Sequence, residues 1–298
     1  MNSQKSKKTL KSNKNVNNQS PKKFNSQIIK FLLIILVILL LDVLLHQIIR
    51  LIQPDPNFPA EVARKKLPYI ILIMTGLFSS IALGFLVIKD YIPGSRFEKG
   101  MLYGILNSFI YFIAFLEMPI LFNHDLFVTI LNALADIIPL FILGIVLGFT
   151  FSENNADKES IFIKKNSVVV ILIFSLMFVL GRYVAYLIGN MVNTNAFIGA
   201  YHTKPVETFL WSAIFGLSVG FLYVFIQPVI KQKSWTLYKT NLIFATFIFG
   251  IQWILYTLFF PIIIDESFLI LDALIRSLCD CLYFAVAIIL IQIVDDRQ

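Results

Sequence analysis

Apolar residues in this chain run in long blocks, and short polar breaks separate them. The blocks fall at 28–51, 68–88, 101–122, 126–150, 167–191, 208–230, 241–264 and 268–294. A helix needs about 20 apolar residues to cross a hydrocarbon core of roughly 30 Å, and each block is that long. The breaks are chemically distinct. Gln53-Pro54-Asp55-Pro56-Asn57-Phe58-Pro59 is too proline-rich to stay helical, and Lys89 to Arg96, with Pro93-Gly94 inside it, reads as a turn. Ser152 to Lys165 is the most polar internal segment and the natural midpoint. The breaks at Asn123–Asp125 and Asp265–Ser267 are tight, which predicts helical hairpins for spans three and four and for spans seven and eight. The pattern predicts an all-α integral membrane bundle of about eight transmembrane helices.

Composition strengthens this reading. Of the 298 residues, 58% are hydrophobic and 14% charged, where a soluble domain carries about 25% charged residues. A globule of this size with so few charges cannot solvate its surface in water, so lipid is the solvent for most of it. The net charge of +7 invites a nucleic-acid reading until the charges are placed. Eight lysines lie in the first thirty positions among Asn, Ser and Gln, in a segment with too little apolar area to fold, so 1–27 reads as a disordered basic cytoplasmic tail. With that tail inside, eighteen basic residues fall on the cytoplasmic side and five outside; Arg182 and Arg276 lie within spans. This asymmetry predicts cytoplasmic N- and C-termini and an even number of spans. Arg64-Lys65-Lys66 is the local exception. The first span follows a basic region as a signal peptide would, but it is long and has no small-x-small site close behind it, so it reads as an uncleaved anchor.

The second half resembles the first. An offset of 140 places Leu131-Asn132-Ala133-Leu134 on Leu271-Asp272-Ala273-Leu274, and span one on span five. Offsets of 136 and 142 align Gly84-Phe85-Leu86 with Gly220-Phe221-Leu222 and Pro119-Ile120 with Pro261-Ile262. The common order of these matches predicts a four-plus-four parallel repeat: 28–150, a cytoplasmic linker at 151–166, and 167–294. The stretch from Ile92-Pro93-Gly94-Ser95-Arg96 through Gly100 and Gly104 to Gly144 and Gly148 resembles uncharacterised prokaryotic polytopic membrane proteins built from a four-helix module, here in tandem duplicate. That resemblance implies an architecture; it implies no reaction and no active-site residues.

Ionisable residues within the spans carry the candidate chemistry, because a charge at a helix centre costs roughly 2.5–3.5 kcal/mol on insertion scales and must face protein or water. They are Asp42, His46, Glu117 and Asp136 in the first half, and Arg182, Asp272, Arg276 and Asp280 in the second. Asp42 and His46 share a helix face, as do Asp272, Arg276 and Asp280. The offset of 140 sets Asp42 over Arg182 and Asp136 over Arg276, an acid against a base at both positions. We therefore expect ion pairs between these four across the interface of the halves. Asp42, Asp136, Arg182 and Arg276 fall near mid-span, with His46, Glu117 and Asp272 further out, as in a polar vestibule open to the outside. Glu117, two residues before Pro119, is expected to reach outer-leaflet water. Gln252 and Trp253 are expected to serve helix contacts.

Catalytic, cofactor and metal signatures are absent from the sequence. There is no H-E-x-x-H, G-x-S-x-G or Walker lysine motif, and the histidines are His46, His124 and His202, with no pair at helical spacing. Cys279 and Cys281, two apart on a helix, point to different faces and read as packing residues. An intramembrane enzyme ranks third, behind two other functions. One is a cell-membrane transporter of a small solute or ion, whose path the Asp/Arg/His cluster lines. The other is a non-transporting scaffold or accessory subunit whose charges are structural pairs. The lipid bilayer is the expected partner, with anionic lipid at the basic tail and a homo-oligomer or membrane protein as further candidates.

Overall fold

The computed structural model describes residues 21–53, 60–154, 165–191, 202–232, 234–264 and 269–295. The basic tail before Pro21, the proline-rich segment after Gln53 and the midpoint segment from 155 to 164 lie outside the described residues, as does the break read at Asp265–Ser267. The fold is all-α. Its helices are α1 (Pro21–Ile52), α2 (Ala60–Ile88), α3 (Arg96–Phe115), α4 (Met118–Leu121) and α5 (Leu126–Phe151) in the first half. The second half has α6 (Lys165–Met191), α7 (Pro205–Gln232), α8 (Leu237–Asn241), a π-helical segment (Leu242–Ile248), α9 (Gly250–Ile264) and α10 (Leu269–Asp295). Eight of these stretches are long and apolar enough to cross a membrane, matching the eight blocks read from the sequence. The basic run Arg64-Lys65-Lys66 sits in the opening turns of α2 rather than in a loop.

Two spans depart from simple rods. In the third, the helix breaks at Leu116–Glu117 and restarts as α4, whose first turn tolerates Pro119 because the N–H missing there has no intrahelical acceptor. In the seventh, the ladder loosens to i→i+5 bonding over Leu242–Ile248, closed by Phe249 N–H donating to the Phe244 carbonyl at 3.0 Å. Such a bulge resets the face that follows it; downstream, Gln252, Trp253, Tyr256 and Thr257 are all buried.

Local chemistry explains the other boundaries. Ser95 caps α3 by accepting from Glu98 N–H, while the Glu98 carboxylate accepts from Ser95 N–H at 2.7 Å, a capping box that ends the turn after α2. Asp125 caps α5 by accepting from Val128 N–H at 3.0 Å, closing the α3–α5 hairpin. Lys99, fully buried, donates its ammonium to the Lys89 and Glu153 carbonyls at 3.3 and 2.8 Å, tying the α2–α3 turn to the C-terminal end of α5.

The closest helix pairing is α3 against α5, made possible by glycines. Gly100 and Gly104 face Gly144 and Gly148 so closely that a Cβ at Gly104 would lie 2.7 Å from the Phe141 carbonyl oxygen, and one at Gly144 2.5 Å from Gly104 Cα. Small residues four apart let two backbones approach in lipid, where dispersion and interhelical hydrogen bonds replace the hydrophobic effect. α6 packs on α7 and α10, and α1 on α5. The halves meet where α2 packs on α9 and α3 on α7. An aromatic core of Phe174, Phe178, Trp211, Phe215, Phe249, Trp253 and Phe284 fills the second half.

Candidate functional site

The eight ionisable residues fall into two groups on different seams. The first lies between α1 and α5. α1 buries a narrow stripe, with Ile35, Ile38 and Asp42 inward at helical spacing and leucines outward to lipid. The stripe leaves Asp42 4% exposed and carries His46 one turn further on the same face. From α5 comes Asp136, 5% exposed, one turn before Pro139. His46 Nδ1 lies 3.1 Å from the Asp42 backbone carbonyl; a carbonyl can only accept, so Nδ1 carries a proton in this contact. Nε2 is 3.8 Å from Asp136 Oδ2, and Nδ1 is 3.9 Å from Asp42 Oδ1. Neither carboxylate oxygen has a hydrogen-bond partner.

The second group lies deep in the other half. The break after α3 delivers Glu117 there, where its Oε1 accepts from Arg182 Nη1 at 3.1 Å and from Arg276 Nη1 at 2.9 Å. Arg182 Nη2 is 3.2 Å from Asp280 Oδ2, which also accepts from the Trp253 indole at 2.8 Å. The Arg182 guanidinium is caged by the Phe178, Trp211 and Trp253 rings, with centroids at 4.9, 4.9 and 5.7 Å. Arginine suits this place because its flat, weakly hydrated head both stacks on rings and forks to carboxylates. Two acids and two arginines balance in formal charge. Asp272, also buried, lies one turn before Arg276 on the same face of α10.

Three expectations are corrected. Asp42 and Asp136 do not pair with Arg182 and Arg276: the two aspartates meet each other and His46, while both arginines converge on Glu117. Positions related by the offset of 140 thus occupy like seams within each half, α1 with α5 and α6 with α10, rather than facing each other across the interface. Glu117 does not reach outer-leaflet water; it is 2% exposed and links the halves. The cluster does not line a polar vestibule among the described residues. What reaches it is an apolar crevice at Asp136, walled by Met74, Phe78, Tyr111 and Tyr256.

Sequence reasoning passed over several functional contacts. Trp253, expected to serve helix contacts, makes one as the hydrogen-bond donor to Asp280 on α10. Its neighbour one turn on, Tyr256, shares the Asp136 crevice. Trp211 donates its indole N–H to the Ile113 carbonyl at 2.6 Å, fixing the end of α3 from which Glu117 projects. An indole donating to a helix-end carbonyl leaves no periodic signal. Cys279 and Cys281 are free thiols, in keeping with the packing role read for them.

No protein-family model matches the chain, and searches of curated proteins and of solved structures gave no match either. The protein is a multi-pass helical membrane protein with buried charges held in salt bridges.

Proposed function

We propose that this protein is a transporter of a small solute or ion, in which Asp42, His46 and Asp136 take up and release a cation or proton. The observation that carries the reading is a pair of buried carboxylates, on two different helices, whose facing oxygens no protein donor satisfies. Two like charges this close in a medium of low dielectric need a cation or a shared proton, and the one basic side chain beside them among the described residues is His46. His46 is the most exposed member, with 27% of its side chain accessible, and so offers the way in. The Glu117–Arg182–Arg276–Asp280 group is charge-balanced without a ligand and serves as the fixed frame.

The architecture we propose is two parallel four-helix copies. It is supported by the exchange of contacts between halves, where the second helix of each copy packs on the third of the other, and by the like placement of Asp42 with Arg182 and of Asp136 with Arg276. The charge asymmetry supports cytoplasmic termini in a cell membrane, with the lysine-rich tail on anionic lipid.

The test is flux through the full chain reconstituted in liposomes, read with a trapped pH or cation indicator. Wild-type vesicles are expected to move charge down an imposed cation gradient, and Asp42→Asn and Asp136→Asn vesicles to lose that movement. A second reading, a scaffold whose charges only hold helices together, is favoured by the ion pairing of Glu117 and Asp280 with the two arginines. Wild-type vesicles as tight as protein-free ones to protons and mono- and divalent cations would decide for it.

A further inference from the structure

We infer that Asp42, His46 and Asp136 form an intramembrane binding site for a divalent first-row transition cation of the Zn2+ or Mn2+ class. This names the cargo of the site proposed above; it rests on that reading for where the cation goes, though not for its binding. Three features carry it.

The first is the donor set. Each of the three residues offers one ligand atom, and these atoms all lie within 4.8 Å of one another. Two donors held tetrahedrally around a cation, each about 2.1 Å from it, are about 3.4 Å apart. His46 Nε2 and Asp136 Oδ2, at 3.8 Å, are too far apart for a hydrogen bond and need to close by only about 0.4 Å to share a metal.

The second is the state of the ligands. Asp42 Oδ1 and Asp136 Oδ2 are buried without a hydrogen-bond partner, in side chains 5% and 7% exposed. Leaving such atoms unsatisfied is costly unless something absent from the chain itself satisfies them. His46 is already oriented for ligation: Nδ1–H to a backbone carbonyl is the outer-shell bond that fixes a metal-binding imidazole with Nε2 free.

The third is charge and hardness. Two carboxylates and a neutral imidazole sum to −2, which one divalent cation neutralises. Ca2+ and Mg2+ are hard cations that prefer all-oxygen shells, whereas an imidazole with two carboxylates suits Zn2+ or Mn2+ and leaves a position open for water or exchange.

The test is metal binding by the purified full-length protein in detergent, with Zn2+ measured against a fluorescent chelator and Mn2+ by electron paramagnetic resonance. One equivalent is expected to bind. Asp136→Asn and His46→Gln, near-isosteric changes, are expected to weaken it by at least the roughly 10- to 100-fold that losing an outer-shell partner costs. His202→Ala, which removes an imidazole elsewhere, should leave it unchanged. X-ray absorption at the zinc edge should show nitrogen and oxygen neighbours and no sulfur. No stoichiometric binding by wild type, binding that survives Asp42→Asn with Asp136→Asn, or sulfur neighbours from Cys279 and Cys281 would each overturn the site. Should a variant fail to fold, the wild-type stoichiometry and absorption spectrum still decide. Binding without flux leaves this site standing and sinks transport, whereas proton flux without metal binding does the reverse.

Discussion

Replacing Glu117 by Gln keeps the size of the side chain and an oxygen able to accept, and removes one negative charge. The structure lets the consequence be worked out. Glu117 Oε1 receives one Nη1 donor from each arginine, and Asp280 lies 3.2 Å from Arg182. Among Glu117, Asp280, Arg182 and Arg276, loss of the Glu117 charge leaves a net +1, with Arg182 1% and Arg276 2% exposed. If only hydrogen bonding mattered, two interhelical bonds at about 0.6 kcal/mol each would set the loss near 1 kcal/mol. Stranding a buried charge costs about 3–5 kcal/mol instead, and that is the expectation for Glu117→Gln. Removing the surplus charge should then restore much of the loss. Glu117→Gln with Arg276→Met returns the group to neutrality around Arg182–Asp280, so the double variant should be less destabilised than the sum of the singles by roughly 2–3 kcal/mol. The assay is reversible unfolding of the four proteins in bicelles, followed by denaturant titration. A loss near 1 kcal/mol for Glu117→Gln, or additive singles, would refute the charge argument.

Two further outcomes are expected. Gly104→Leu drives a side chain into the Phe141 backbone and should cost about 1–3 kcal/mol or more, whereas Gly76→Ala meets only the flexible end of Leu255 at 3.3 Å and should be nearly silent; the same unfolding assay separates them. Trp253→Phe keeps the ring in the aromatic core but deletes the donor to Asp280, for an expected loss of about 1.5–3 kcal/mol; equal stability of the two proteins would count against that bond.

The spans were legible in the sequence because lipid imposes a length and a polarity on each, independently of how helices pack. The two broken spans were not. Nothing in the residues from Leu242 to Ile248 marks a π turn, which comes from packing against neighbours. The list of charged residues was legible for the same reason as the spans, since each is costly where it stands. Their pairing was not, because the repeat argument supposed that arginines would be answered by acids at related positions. The acids that answer them, Glu117 and Asp280, have Thr257 and Leu140 as counterparts at the offset of 140. Glu117 owes its reach to the helix break before Pro119, a tertiary consequence of one proline that spacing alone does not convey.

The Glu117 group also orders events in time. Its carboxylate is synthesised 65 residues before Arg182 and 159 residues before Arg276. At about 5–20 residues per second, the wait for Arg276 is roughly 8 to 32 s. Until Arg182 follows, after roughly 3 to 13 s at the same rate, the third span carries an uncompensated acid. Until Arg276 follows, that acid has one of its two arginines, which favours holding the spans together over releasing them into lipid helix by helix. The first half becomes electrically complete only when the last span arrives.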